Sequence, residues 1–182
     1  MVRLIGGVLV LLAIPFALGG ERPAAAGWQL ERGVDAPSYA AIEPASTNLN
    51  IDSLVLSCEQ GPQRRGLQLR LYLSRGRPLG PQRGMIDDPT VDLAIDGASH
   101  AAQLLFADDF VVVADSADGV MPLLSPALLD ALQSGRRMEL RLDFGTAVVD
   151  LQAGPGGAAV AAVRRCAGEP DLQLSEKPGR AR

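Results

Sequence analysis

The segment 66–73, with the sequence Gly-Leu-Gln-Leu-Arg-Leu-Tyr-Leu, alternates apolar and polar residues without a break. Successive side chains of a β-strand point to opposite faces, so the four leucines share one face, while Gln68, Arg70 and Tyr72 share the other. A strand of this kind buries one face and leaves the other wet. The segment therefore predicts a strand of a sheet that covers a core.

Similar patterns and turn signals stand on both sides of this segment. The connection 59–65 contains Gly61-Pro62 and suits a hairpin turn, and Asp96-Gly97 is the strongest two-residue hairpin signal of the chain. Residues 110–114 are apolar throughout, which favours a central strand that is covered on both sides. Further strands are expected at 48–58, 91–95, 98–106, 138–144 and 149–151.

One helix is marked at both ends by residues that suit helix termini. Ser125 is placed to cap the free backbone amides, Pro126 suits the first helical position, and Gly135 ends the segment. A second short helix is predicted over 158–166, where apolar residues recur at helical spacing. The fold class is therefore expected to be mainly β, an antiparallel β-sandwich-like domain with one or two short helices. A single sheet mixed with helices and loops is the alternative.

The N-terminus has the three parts of an export signal. Arg3 precedes the apolar run 4–18, and Ala24 and Ala26 are the small residues that a signal peptidase recognises, so we expect cleavage after Ala26. A permanent anchor is less favoured, because the run is shorter than the ~20 residues of a membrane span and contains Pro15. The expected division is a signal peptide at 1–26, a loosely ordered entry segment at 27–46, a single β-rich domain at 47–167 and a disordered tail at 168–182.

The chain carries a formal net charge of −4, and removing residues 1–26 takes away two arginines and one glutamate, which leaves −5. An acidic domain has no general attraction for nucleic acid or for anionic lipid. We expect a periplasmic or secreted protein with no nucleic-acid partner and no stable membrane span after processing.

Cys58 and Cys166 are the two cysteines of the chain. In an oxidising compartment they are expected to form a disulfide that fastens the C-terminal helix to an early strand. Two buried free thiols are the alternative. A redox or metal site is disfavoured, because the chain has no C-x-x-C motif and one histidine.

Catalytic chemistry finds little support in the sequence. His100 is the only histidine, and no G-x-S-x-G or S-x-x-K motif supplies a serine nucleophile. The acidic residues of the pairs at 87–88 and 108–109 are adjacent, and adjacent side chains of a strand point to opposite faces, so neither pair forms an acid–base dyad. We expect no catalytic residue, no cofactor and no metal.

The predicted loops are rich in arginine. Arg64 and Arg65 fall in the hairpin turn, and Arg75, Arg77 and Arg83 lie in a Gly- and Pro-rich loop between two well-patterned strands. Binding groups tend to lie on loops that a rigid scaffold supports. These five residues are predicted as an interaction loop, and scattered solubilising charge is the alternative.

The order of features along the chain also resembles known proteins. It runs from Trp28 through Leu-Val-Leu-Ser-Cys at 54–58 to the capped helix at 128–135, a strand, and an Ala-rich helix that ends at Cys166. This order resembles small exported proteins of alphaproteobacteria that have no assigned activity, and it is more distantly similar to the invasion-associated locus B group, which is exported and β-rich. That group carries additional cysteine pairs, so its role in host interaction is not transferred, and no functional residue is carried over.

These observations favour an exported, non-catalytic binding or structural protein of the bacterial envelope, whose partner is an envelope protein or polymer. The alternative is a hydrolase of an unrecognised family that acts on an envelope polymer. That alternative requires His100 and two carboxylates in one cleft.

Export is expected to give a mature chain that begins at Gly27, because the small residues before it are suited to cleavage. N-terminal sequencing of the protein from the periplasmic fraction measures this directly. Intact Met1 in the membrane pellet contradicts a cleaved signal.

Overall fold

The computed structural model describes residues 27–62, 64–74, 89–107, 110–143 and 145–168, and these residues form mainly β-strands with two short helices. The elements are β1 (Gln29–Leu30), β2 (Tyr39–Ile42), β3 (Ser46–Thr47), β4 (Ile51–Gln60), β5 (Arg65–Leu73), β6 (Thr90–Ile95), β7 (Ala98–Phe106), β8 (Phe110–Ala114), β9 (Ser116–Asp118), β10 (Met121–Leu123), α1 (Pro126–Ser134), β11 (Arg137–Leu142), β12 (Gly145–Asp150) and α2 (Gly157–Cys166). The mainly β, antiparallel fold with short helices is confirmed.

Ten strands form one antiparallel sheet in the order β1-β2-β4-β5-β8-β7-β6-β11-β12-β3, and β9 pairs with β10 in a separate hairpin. β3 lies at the opposite end of the sheet from β1 and β2, yet in the chain it stands between β2 and β4, with three residues on each side. A connection of three residues spans about 14 Å at most, so the two ends of the sheet approach each other. The sandwich-like arrangement therefore arises from one curled sheet.

The inner face of the curled sheet and both helices share one hydrophobic core. On β5 the predicted leucine face is confirmed for Leu67, Leu69 and Leu71, which are buried at 1% exposure or less. The opposite face is not wet along its whole length as predicted, because Gln68 is 6% exposed and donates to the Pro122 carbonyl of β10 at 2.9 Å. Each fully buried leucine contributes about 2 kcal/mol to the free energy of folding. β8 lies between β5 and β7, and four of its five residues are buried, so the prediction of a central strand is also confirmed.

Helix α1 begins and ends as its sequence predicts. The Ser125 hydroxyl accepts a hydrogen bond from the Leu128 amide at 3.2 Å, and Pro126 occupies the first turn. The Gly135 amide donates to the Ala131 carbonyl at 2.8 Å and closes the C-terminus. The second predicted helix is present as α2.

The entry segment 27–46 differs from the loosely held chain that its composition predicts. It supplies β1, β2 and the first residue of β3, and its Trp28 is buried at 1% exposure. Tertiary packing provides this order, since β2 pairs with β4 and Ala40 lies in the core. Glu31 closes the intervening loop by accepting hydrogen bonds from the Ser38 hydroxyl at 2.7 Å and the Ser38 amide at 2.8 Å.

The predicted signal peptide at 1–26 and residues 169–182 of the predicted tail lie outside the described residues. Within the described part of the chain, neither helix has the length and apolar character needed to cross a membrane.

Asp96 ties the β6–β7 hairpin to the start of β11. It has a positive φ of 47°, as the Asp-Gly turn requires, and its two carboxylate oxygens accept from the Arg136 and Arg137 amides, each at 3.0 Å. These two backbone hydrogen bonds, led by that of Arg136, lower the pKa of the Asp96 carboxyl below its ordinary value of 3.8.

Replacing Asp96→Asn removes one of these two acceptors and is expected to lower the melting temperature at neutral pH. The ionised carboxylate stabilises the fold above pH 3.8, and this contribution is lost as the pH falls through the lower folded-state pKa. The difference between the two proteins should therefore shrink in acid. Thermal unfolding of both proteins at neutral pH and near pH 2.5 tests this, and a difference that does not change with pH contradicts it.

Candidate functional site

A disulfide joins the sheet to the C-terminal helix. Cys58 of β4 and Cys166 at the end of α2 are bonded, with their Cα atoms 6.2 Å apart and a sequence separation of 108. The predicted bridge is confirmed. Both cysteines are half-buried at the border of the core, and a closed disulfide is typical of proteins outside the cytoplasm.

Arg64 lies on the turn between β4 and β5, and Arg65 is the first residue of β5. The Gly61 amide donates to the Arg64 carbonyl at 2.9 Å and closes the turn. A Cβ atom at Gly61 would lie 2.6 Å from that carbonyl oxygen, so the tight turn requires glycine there. Arg65 begins β5 opposite Gln60, and both arginine side chains are exposed.

Arg65 contacts the disulfide, and a further exposed arginine stands next to Cys166 in the chain. The Nη1 atom of Arg65 lies 3.6 Å from the Cys166 sulfur, a weak hydrogen bond. Arg165 precedes Cys166 on α2 and is exposed. Arg164, one position earlier, is buried and donates to Asp130 at 2.7 Å. We define Arg64, Arg65 and Arg165 as the arginine cluster.

Two acidic side chains of β4 and α1 are paired with other arginines. Glu59 of β4 forms an ion pair with Arg70 at 2.7 Å, and Asp130 of α1 pairs with Arg164. Among the described residues no carboxylate forms an ion pair with a member of the arginine cluster. The cluster is therefore an exposed positive site on a chain of net charge −4.

Arg70, in contrast, has a structural role in the sheet. Its guanidinium lies 4.5 Å from the centroid of the Phe110 ring, and its Nε and Nη2 atoms donate to the Gln68 side chain at 3.2 and 3.0 Å. Together with the Glu59 ion pair, these contacts use three of the five N–H donors of Arg70 and hold its guanidinium against the sheet. Arg70 therefore belongs to the scaffold, not to the candidate site.

A groove of about 600 Å³ lies on the outer face between β7 and the β9–β10 hairpin. Its walls are mainly apolar, with Leu105 and the 95% exposed Val120 among them. The carboxylate that lines it, Asp115, accepts from the amide and the hydroxyl of Ser125 at 2.6 and 2.5 Å. Asp115 thus supports the cap of α1, and nothing in the described structure shows what occupies the groove.

His100 lies on β7 next to Ala101, which lines the groove, so its side chain points to the opposite face of the strand. It is half-buried and pairs across the sheet with Leu93. No hydrogen bond joins it to a carboxylate within the described residues. The constellation that the hydrolase alternative requires is therefore not formed in this part of the chain.

The structure places the predicted site residues only in part. It describes Arg64 and Arg65 and places the Arg65 guanidinium beside the Cys166 sulfur, whereas Arg75, Arg77 and Arg83 lie outside the described residues, as do the acidic pairs at 87–88 and 108–109. Within the described ranges, no three His, Cys, Asp or Glu side chains are grouped to hold a metal ion.

Sequence reasoning missed Arg165, because no local pattern shows that Arg65 contacts the sulfur of Cys166, the residue that follows Arg165 in the chain.

Comparison of the chain with protein-family models, with curated proteins and with solved structures finds no match. The function therefore has to be inferred from the chemistry of the site itself.

Replacing Cys58→Ser or Cys166→Ser is expected to lower the free energy of unfolding by about 4–5 kcal/mol, because the bridge no longer restricts a long loop in the unfolded chain. Urea unfolding without reductant measures the change. The wild-type protein under reductant is the control and should lose the same amount. Equal stability of variant and oxidised wild type would show that the bridge carries no stabilisation.

Proposed function

We propose that the protein is an exported, non-catalytic binding protein of the bacterial envelope. It contacts its partner, an envelope protein or polymer that carries acidic groups, through the surface formed by Arg64 and Arg65. The observation that supports this is the arginine cluster, whose exposed guanidinium groups form no ion pair with the described carboxylates.

The lack of described acidic partners at these side chains favours a role in binding over a role in solubility alone. Solubilising charge is commonly interspersed with charge of the opposite sign, as on β11, where Arg137 and Arg141 both pair with Glu139. At Arg64, Arg65 and Arg165 no described carboxylate provides such a partner. The preference for arginine over lysine adds nothing to this argument, since the whole chain has a single lysine, Lys177.

The scaffold holds the site in a fixed position. β4 and β5 pair over nearly their whole lengths, and the disulfide anchors α2 to the end of β4 next to the turn. A surface that is ordered before binding loses less conformational entropy when a partner arrives. The corner at the disulfide is therefore suited to recognition.

The double variant Arg64→Glu, Arg65→Glu is expected to reduce binding of the purified protein to an isolated envelope fraction about tenfold or more, because two attractive charges become repulsive. Co-sedimentation at low and high salt measures the binding. Arg136→Glu, a single charge reversal at the start of β11, is the control and should bind as the wild type does. Unaltered binding by a folded double variant contradicts the proposal.

A second control addresses the hydrolase alternative. His100→Ala should complement a deletion strain as well as the wild-type gene does, since His100 forms no ion pair with a carboxylate among the described residues. Loss of function by this variant, with its melting temperature unchanged, would overturn the non-catalytic assignment.

A further inference from the structure

We propose that Cys166 is the sulfur through which the folded, reduced protein exchanges with an external disulfide, and that Arg65 stabilises its thiolate. The co-reactant of this site is a compound with an exchangeable disulfide, such as glutathione disulfide. The inference is independent of the proposed function, because it concerns how the bridge forms and not which partner the protein binds.

The two sulfurs of the bridge have different surroundings. The Nη1 atom of Arg65 lies 3.6 Å from the Cys166 sulfur, whereas Cys58 packs against the hydrophobic core. No hydrogen bond joins the Cys58 sulfur to a side chain within the described ranges. A neighbouring cation favours the thiolate form of a cysteine, and apolar surroundings disfavour it. In the reduced protein, Cys166 is therefore the more ionised of the two thiols.

Arg65 is held beside Cys166 by its partner across the hairpin. Gln60 stands opposite Arg65 in the β4–β5 register, and its side-chain oxygen accepts from the Arg65 Nε atom at 3.3 Å. The carboxylate of Glu59, next to Gln60 in the chain, is paired with Arg70 at 2.7 Å. Since no described carboxylate forms an ion pair with Arg65, its positive charge is available to a thiolate.

The remaining charges that face Cys166 belong to α2 itself. The C-terminal end of a helix carries a partial negative charge, which disfavours an anion there. Arg164 and Arg165 in the last turn of α2 reduce this effect, although Arg164 is already paired with Asp130 at 2.7 Å. The full charge of Arg65, in direct contact with the sulfur, outweighs what remains of the partial charge.

Helix α2 has contacts that do not depend on the bridge. Two of its valines lie in the core, and Arg164 donates to Asp130 of α1 at 2.7 Å. These contacts keep α2 docked after reduction. The Cys166 thiol therefore stays beside Arg65 and within reach of Cys58 when the bond between them is open.

Closure of the bridge then takes two exchange steps. First, the Cys166 thiolate attacks one sulfur of the external disulfide R–S–S–R, which forms a mixed disulfide at Cys166 and releases one R–S⁻. Second, the Cys58 thiol loses its proton to solvent and attacks the Cys166 sulfur, which forms the bridge and releases the second R–S⁻. Two protein thiols are oxidised, and one external disulfide is reduced. The second step joins two neighbouring groups, so the first step limits the rate when the oxidant is dilute.

Labelling of the reduced wild type with a limiting amount of iodoacetamide, followed by peptide mapping, identifies the more reactive thiol. The folded chain, checked by circular dichroism, should carry most of the label on Cys166. In concentrated urea the two cysteines should be labelled equally. In Arg65→Gln, the midpoint of the pH profile of Cys166 labelling should rise by about one pH unit.

The rate of closure by dilute glutathione disulfide at neutral pH provides a second measurement. Loss of the Arg65 charge lowers the thiolate fraction about tenfold, but a more basic thiolate is also a better nucleophile, so Arg65→Gln should close about threefold more slowly. Arg65→Lys keeps the charge and should retain most of the rate. Arg136→Gln removes an exposed arginine that has no described contact with either sulfur, and it should close at the wild-type rate.

Equal labelling of both cysteines in the folded chain, preferential labelling of Cys58, or a labelling profile and closure rate unchanged in Arg65→Gln would overturn the inference. A reduced chain without a native circular dichroism spectrum would also overturn it, since α2 would then not hold Cys166 beside Arg65. None of these results affects the proposed function, because envelope binding is measured on the oxidised protein.

Discussion

The eight residues between Ile42 and Ile51 hold the two ends of the sheet near each other. β3 pairs with β12 at one end of the sheet, whereas its neighbours in the chain, β2 and β4, lie toward the other end. The sheet therefore has to curl. Curling encloses the apolar faces of the strands and leaves β1 and β3, each of two residues, as the edge strands. Short edge strands offer little backbone for pairing with another chain, so the same constraint that builds the core also limits aggregation at the edges.

The two helices complete this enclosure through a polar contact as well as an apolar one. Val160 and Val163 of α2 lie in the core, while Arg164 is 6% exposed and reaches Asp130 and Gln133 of α1. Burying a guanidinium costs desolvation free energy unless it is hydrogen-bonded, and these acceptors supply that compensation. The arrangement fixes the rotation of α2 about its axis, which leaves the adjacent Arg165 exposed beside the disulfide.

The elements whose structure depends on local sequence pattern were predicted correctly. The alternating leucines of β5, the Asp96-Gly97 hairpin and the Ser125 cap of α1 follow from periodicity and turn chemistry, and each is found in the structure. The short strands β1 to β3 were not predicted, because Trp28 and Ala40 are ordered by packing against distant parts of the chain. For the candidate site, the two arginines of the turn were named from sequence. The third depends on a contact across 101 residues between Arg65 and Cys166, which no local pattern reveals.

The single bridge between Cys58 and Cys166 has a consequence for how the chain matures. With two cysteines in the chain, there is no wrong intramolecular partner for either, so oxidation needs an electron acceptor but no isomerase to reshuffle mispaired intermediates. The competing product is a covalent link between two copies, and its share grows with the concentration of unfolded chains. Since Cys166 follows Cys58 by 108 residues, the partner of Cys58 exists only after the intervening strands and α1 have been synthesised. Correct bonding is thus a late event that joins α2 to a sheet whose strands are already present.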